Sequence, residues 1–286
     1  MIIACATDRN YVELAGVLIS SIACNGNVPD ARIVVCDYDL RDGDRRDLEA
    51  CAPGHRVSFI RLDGDLRRQM ADLPQTTHWS RAMYSRLLLP DLLPGEEGRV
   101  LYLDSDMLVL GDLGPLFGTP LDGKVLGAVP DAAGPEHIAR MNANLGRPAD
   151  TPYFNSGALL IDIAAWKNLG AGGACMRFLQ GPAPKLYPDQ DALNTVLERE
   201  WLPIDRCWNF TGGMNEQSAY FEQARILHFI GRKPHMASCP HPARDLYLRQ
   251  RQLTPWADRP LLSNAGRAVQ KARRWASLAL ERVGGR

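Results

Sequence analysis

The sequence lacks a charge surplus. Its 286 residues carry 33 Lys plus Arg against 33 Asp plus Glu, a formal net charge of zero, so no basic field marks it for nucleic acid. It lacks a long apolar run, with no stretch long enough to span a bilayer. It lacks paired cysteines. The seven (Cys5, Cys24, Cys36, Cys51, Cys175, Cys207 and Cys239) are odd in number and none has CxxC spacing. That favours small buried thiols in a reducing compartment over a disulfide framework or a zinc site. The N-terminal MIIACATDRNY has no basic segment and is interrupted by Asp8, so a signal peptide is not expected. No GxGxxG follows the first apolar run, where Thr7-Asp8-Arg9-Asn10 stands instead. The dinucleotide fingerprint is therefore excluded. The Gly170–Gly173 cluster follows a helical pattern rather than a strand and is expected to be a loop. Internal repeats and low-complexity segments are also missing.

What is present is a globular balance, 45% hydrophobic and 23% charged, in a chain long enough for one large α/β unit or two small ones. Strand and helix signals alternate through the first hundred residues. Ile2–Thr7, Ala31–Asp37, Val57–Leu62 and Arg99–Asp106 read as strands. Tyr11–Cys24, Arg41–Cys51 and Trp79–Leu89 read as helices. Such alternation predicts a mostly parallel sheet with helices on both faces. Ligands of such sheets sit beyond the carboxyl ends of the strands, and three ends carry acids: Asp8, Asp37 and the pair Asp104/Asp106. In the second half, Lys124–Asp131, Tyr153–Asp162 and Arg225–Ile230 read as strands, and Gly173–Gln180 and Asp189–Glu200 as helices. Residues 263–286 hold six Lys or Arg against Glu281. They read as a basic amphipathic helix, either a membrane-surface element or a solvated terminal helix.

The stretch VLYLDSDMLV (100–109) places two carboxylates one residue apart at the end of an apolar run. In an extended strand, residues i and i+2 face the same side, so Asp104 and Asp106 are expected to converge. Two converging carboxylates repel, and a hard divalent cation relieves the repulsion. A turn in which each Asp caps backbone amides is the plainer alternative. His228 also ends an apolar run, and a His with carboxylates suits Mn²⁺ better than Mg²⁺. Gly231, Arg232 and Lys233 follow it, as a pyrophosphate clamp requires.

Eight pieces in order carry a resemblance: CATDRNY (5–11), YSRLLLPDLLP (84–94), VLYLDSDMLV (100–109), PLF (115–117), YFNSGALLID (153–162), YPDQDALN (187–194), WNF (208–210) and HFIGRKP (228–234). Together they resemble glycosyltransferase family 8. This group contains glycogenin and the bacterial lipopolysaccharide galactosyl- and glucosyltransferases. The resemblance implies a GT-A fold: a mixed, mostly parallel central sheet flanked by helices, with a Rossmann-like nucleotide-binding half and the DxD at a strand end. It implies one such domain over 1–250, divided into a nucleotide-sugar half (1–130) and an acceptor and donor-sugar half (131–250), with a basic tail at 251–286. It also implies roles. Ala6, Asp8, Asn10 and Tyr11 would hold the uracil and ribose of a UDP-hexose, and Ser105 the ribose through its backbone. Asp104, Asp106 and His228 would bind Mn²⁺, or Mg²⁺ in its place. Arg86 would contact the donor's sugar or phosphates. Asn155 and Ser156 would line the sugar pocket, and Asp189 would bind sugar hydroxyls. Gln190 would lie beneath the anomeric carbon, and Gly231 and Lys233 would meet the diphosphate. Gly231-Arg232-Lys233-Pro234-His235 departs from the family, with one residue fewer between glycine and lysine and a histidine in place of a tryptophan.

The reaction so implied moves glucose or galactose from UDP to a glycan or glycolipid acceptor with retention. An amide is a poor nucleophile, so Gln190 points to front-face substitution, with Asp189 or Asp191 as the alternative nucleophile. A non-catalytic UDP-sugar binder and a self-glucosylating enzyme are the rival readings. The latter needs an acceptor tyrosine, and none follows Tyr247. A dehalogenase-type phosphatase would carry its DxD on the first strand. A cytoplasmic location at the inner membrane face, reached through the basic tail, completes the expectation.

Overall fold

The computed structural model describes residues 1–71, 73–74, 80–182, 185–211, 222–270 and 272. The first four strands are β1 (Ile2–Thr7), β2 (Arg32–Asp37), β3 (Arg56–Arg61) and β4 (Arg99–Asp104). After β5 (Met107–Val109) come β6 (Leu126–Pro130), β7 (Phe154–Asp162), β8 (Trp201–Pro203) and β9 (Ile226–His228). Seven of them form one sheet in the order β3-β2-β1-β4-β7-β6-β8, and β5 and β9 form a separate ribbon. Strands β3, β2, β1 and β4 run parallel, β7 is antiparallel to both β4 and β6, and β8 is parallel to β6. The sheet is therefore mixed and mostly parallel, as expected.

The helices are α1 (Val12–Asn25), α2 (Asp42–Ala50), α3 (Gly64–Ala71), α4 (Ser85–Leu88), α5 (Gly114–Phe117), α6 (Pro135–Asn144), α7 (Ile163–Leu169), α8 (Ala171–Gln180), α9 (Pro188–Val196) and α10 (Arg244–Arg251). The Gly170–Gly173 cluster is no loop. Gly170 closes α7 in the left-handed region (φ +63°), and the next residues begin α8. A glycine is needed at that φ because a side chain would strain it.

Two-residue periodicity sorts the core onto the two faces of the sheet. Ile2, Ala4, Ala6, Val100 and Tyr102 pack on one side with Tyr84, Leu87 and Leu88. Ile3, Cys5, Leu101 and Leu103 pack on the other with Ala15, Leu18 and Ile19 of α1. Parity then decides where the strand-end acid goes. Asp104 continues the Val100–Tyr102 series, so it faces the side that carries α4. Parallel register sets Ala6 beside Asp104, which brings the loop after β1 against the end of β4.

No disulfide forms, and Cys5, Cys36, Cys51, Cys175 and Cys239 are buried. Burial pushes the Cys36, Cys51 and Cys175 thiols up to about 12, which leaves them inert. Among the described residues no helix is long and apolar enough to cross a membrane. The expected amphipathic tail lies largely outside the described residues. Of 263–286, residues 264–270 are helical and 272 is also described.

Candidate active site

Beyond the carboxyl ends of β1 and β4 lies a cleft of about 1130 Å³. Of the residues singled out from the sequence, Asp37 and Asp191 stay outside it, and Ala6, Asp8, Asn10, Tyr11, Arg86, Asp104, Ser105, Asp106, Asn155, Ser156, Asp189, Gln190, His228, Gly231 and Lys233 line it. Strand β4 ends at Asp104, and Ser105 and Asp106 form the turn into β5. The two carboxylates therefore converge through a turn rather than through strand alternation. The third arm arrives through the β5–β9 ribbon, in which Met107 pairs with His228 and the Phe229 N–H donates to the Asp106 carbonyl at 3.0 Å. One oxygen from each carboxylate and one ring nitrogen of His228 all lie within 4.8 Å of one another.

The two aspartates have different partners. Asp104 faces Arg86, whose Nη2 donates to Oδ1 at 2.6 Å while Nη1 meets Oδ2 at 3.3 Å. The Tyr102 hydroxyl adds a bond at 3.0 Å, and the guanidinium stacks over the Tyr102 ring at 4.8 Å. Arg86 Nε also lies 3.1 Å from Asp189 Oδ2, and its Nη1 donates to the Ser156 carbonyl at 2.8 Å. Burial opposes the Arg86 charge, but Asp104 and Asp189 raise its pKa further. For Asp104, burial outweighs Arg86 and the neighbouring Asp106 adds to it, so its pKa rises. Asp106 contacts Lys233 and, at 3.3 Å, His228 Nε2. Burial would raise the pKa of Asp106, but the Lys233 ammonium beside it overcomes burial and holds the carboxyl far below the usual range. Lys233 is raised in return, against its own burial.

The other expected residues divide between binding wall and scaffold. Asp8 accepts from the Asn10 and Tyr11 amides at 2.9 and 3.1 Å and so closes the turn that leads into α1, while still lining the cleft. Asp37 leaves the set of cleft acids. It is bound by Arg45 at 2.6 Å and caps the Leu40 amide at 2.8 Å. Asp191 leaves it too. Its Oδ1 accepts from the Tyr153 hydroxyl at 2.7 Å, and its Oδ2 accepts from the Leu186 and Tyr187 amides at 2.8 and 3.0 Å. This buried carboxylate anchors the start of α9 and does not reach the cleft. The N-cap of α9 is Tyr187, not Asp189. Gln190 is held at both ends: Oε1 accepts from the Ser156 amide at 2.9 Å, and Nε2 donates to Asp131 Oδ2 at 3.1 Å. Gly231 turns the chain with φ +77° and lines the cleft beside Arg232 and Lys233.

Sequence reasoning missed Asp131 and Asn209. Asp131 follows β6 and lines the cleft. The rule that flagged Asp8 and Asp104, an acid at a strand end, applies to it equally. Asn209 is 3% exposed and binds His228 Nδ1 at 3.0 Å. It sits in the WNF piece, which names the residue without showing what it touches. His235, the departure from the family pattern, also lines the cleft. Burial first and then Lys233 push it down to about 4.

A mixed sheet with an acidic pair at the end of its fourth strand, beneath a cleft walled by both halves, is the plan of a GT-A glycosyltransferase. The same fold is found in a crystal structure of the galactosyltransferase LgtC in complex with donor and acceptor sugar analogs. That structure aligns with a TM-score of 0.72 at 23% identity over 90% of this chain and 99% of the other. The family model described as "Glycosyl transferase family 8" matches residues 2–236, and the chain belongs to this family of glycosyltransferases. Among its relatives, the lipopolysaccharide glucosyltransferase WaaO of Escherichia coli is 29% identical over 91% of this chain and 80% of its own. The lipopolysaccharide 1,3-galactosyltransferase of Salmonella typhimurium is 26% identical over the same shares. General stress protein A of Bacillus subtilis is 27% identical over 89% of this chain and 94% of its own.

Proposed function

We propose that this glycosyltransferase transfers glucose or galactose from a UDP-sugar to a glycan or glycolipid acceptor, with retention of anomeric configuration and with a divalent cation, Mn²⁺ by preference. The observation that carries the reading is the Asp104, Asp106 and His228 cluster, set at the end of the nucleotide-binding strands and flanked by Lys233. The residues fit a cation. Asp106 Oδ1 is buried without a hydrogen-bond donor, and two carboxylates with one imidazole are a donor set for Mn²⁺ or Mg²⁺. Around them, three carboxyl groups (Asp104, Asp106 and Asp189) meet two cations, Arg86 and Lys233. That balance leaves room for a divalent ion and the diphosphate it would accompany. When bound, the ion supplies positive charge to the departing diphosphate.

The chain's own groups do the rest. Lys233, held by Asp106 and by the Phe229 carbonyl at 3.0 Å, is the cation that would turn toward a phosphate oxygen, where charge develops as the glycosidic bond breaks. Asn10, Tyr11, Ala6 and Asp8 wall the uridine end, and Ser105 presents its backbone to the ribose. Asn155, Ser156 and Asp189 line the sugar end. Gln190 has its oxygen committed to the Ser156 amide and its nitrogen to Asp131, so it orients rather than attacks. Asp189, paired with Arg86, is also a weak nucleophile. Both points favour front-face substitution, in which the leaving phosphate oxygen takes the acceptor's proton while the oxocarbenium-like sugar stays on its own face. The basic residues 263–286 would bring the enzyme to an anionic membrane carrying a lipid-linked or lipopolysaccharide-core acceptor. Arg267 and Gln270 line the cleft, so a truncation is placed after Gln270; it should then reduce sedimentation with anionic vesicles and spare the chemistry. The test of the reading is UDP release from a panel of UDP-hexoses with and without Mn²⁺. Release from UDP-glucose or UDP-galactose that depends on metal supports it. No release from any UDP-sugar overturns it.

A further inference from the structure

Asn209 holds no place in the chemistry above, yet it is almost wholly buried beside His228. We propose that Asn209 is a positioning residue: together with Asn155 and the Gly157 amide, it fixes His228 as the tautomer protonated on Nδ1, so that Nε2 presents its lone pair to a metal ion. The inference rests on the metal-dependent reading and deepens it.

A backbone N–H can only donate. The Gly157 backbone N–H points at Asn155 Oδ1 at 3.0 Å. That contact fixes the Asn155 amide, with its oxygen toward Gly157 and its NH₂ toward Asp131 Oδ2 at 3.4 Å. The same Asn155 oxygen receives a second bond at 2.8 Å from Asn209, which must therefore present its NH₂ there. Asn209 Oδ1 is then the atom 3.0 Å from His228 Nδ1. An amide oxygen only accepts, so Nδ1 carries the proton. In that tautomer the lone pair is on Nε2, which stands 3.3 Å from Asp106 Oδ1, the buried oxygen with no donor of its own. Two facing acceptors are satisfied by a cation between them. Flipping Asn155 would set N–H against N–H at Gly157, and flipping Asn209 would set its oxygen against the Asn155 oxygen.

Steric fit gives the second support. A Cβ on Gly157 would fall 2.6 Å from His228 Cε1 and 2.8 Å from Nδ1, and 2.7 Å from Met107 Cε. No side chain fits there, so the ring is seated against bare backbone on one side and oriented by Asn209 on another. This accounts for two pieces of the sequence at once: the Asn-Ser-Gly step of β7 and the WNF stretch. Second neighbours of this kind are worth roughly 10–100-fold in metal affinity.

The test uses the full chain without donor. Mn²⁺ binding is read from the electron paramagnetic resonance signal of the free ion, for the wild type, Asn209→Leu and Asn209→Asp. Leucine keeps the volume and removes the acceptor, and binding should weaken roughly 10–100-fold. Aspartate still accepts from Nδ1–H but sets an oxygen against Asn155 Oδ1, so it should recover part of the affinity that leucine loses. In parallel, ¹⁵N spectra of the histidine-labelled, metal-free wild type, recorded at a pH where the ring carries a single proton, should show that proton on His228 Nδ1 and none on Nε2. A merely structural asparagine would leave that signature and the rescue by aspartate unexplained. Wild-type affinity in Asn209→Leu, or a protonated Nε2 in the wild type, overturns the proposal. The wild-type spectrum decides the matter even where a variant fails to fold. A wild type that binds no Mn²⁺ overturns the metal-site reading and the proposal with it.

Discussion

Asp104 and Asp106 are one residue apart and belong to different regions of the molecule. Asp104 ends a central strand and faces a guanidinium that is 6% exposed, carried on α4 and shared with Asp189 and Ser156. Asp106 sits in a turn and faces an amine and an imidazole that arrive with the β9 segment. The first region is a cross-linked scaffold in which every charge is answered several times. The second has a buried oxygen without a donor and a cation on a flexible stem. The contrast indicates that the Arg86 side holds the site in shape, and the Lys233 side is the side that exchanges partners when donor and metal arrive.

If that division is right, substitutions on the two sides should fail in different ways. The largest effect belongs to Asp106→Ala, which should abolish metal-dependent UDP release by about 10³-fold or more, from the several kcal/mol of charge stabilisation it removes. Its melting temperature in chelator should fall less than that of Arg86→Met, because it strands one buried cation, Lys233, where the latter strands two carboxylates. Arg86→Met leaves Asp104 and Asp189 buried without their cation, and urea titration should show a loss of about 3–5 kcal/mol. An Arg86→Met protein as stable as the wild type would end the distinction between scaffold and exchanging side. Lys233→Ala should keep the fold and lower kcat about 10²–10³-fold, the usual cost of removing one preorganised partner of a developing charge. KM for the UDP-sugar should move less.

Acid titration sharpens the same comparison. Asp106 has its pKa depressed in the folded, metal-free protein. Its contribution to stability is therefore present above the ordinary aspartate pKa of about 4 and is lost as pH falls through the depressed folded value. Urea midpoints of wild type and Asp106→Asn should thus converge as pH falls below about 4. A gap that widens on acidification has the wrong sign. The smallest effect belongs to Gln190→Ala. An amide that orients without attacking should cost about tenfold or less, the scale of one lost hydrogen bond. A dead Gln190→Ala that still binds UDP normally contradicts front-face substitution.

Strands β1 to β4 and β7 were readable because each carries a run of apolar or β-branched residues bounded by polar turns, and the cleft followed from where such strands end. Strand β9 was readable within Arg225–Ile230, but its pairing with β5 was not, because the three residues of β5 offer no period to detect. The sequence thus supplied His228 as a ligand without the pairing that carries it to Asp106. The rule of acids at strand ends found Asp8 and Asp104. It was misled by Asp37, which Arg45 takes, since a local ion pair and a ligand site look alike in one dimension. Asp191 stood inside a recognisable piece and proved to be an anchor for α9. Its partners are a tyrosine from β7 and two amides, which no spacing announces.

The most direct test of the central claim is calorimetric binding of UDP to the wild-type chain in Mn²⁺ and in chelator. The account predicts one UDP per chain, bound at least about tenfold more tightly with Mn²⁺, a gain of 1.4 kcal/mol or more. The same affinity in chelator, or no UDP binding under either condition, would contradict it.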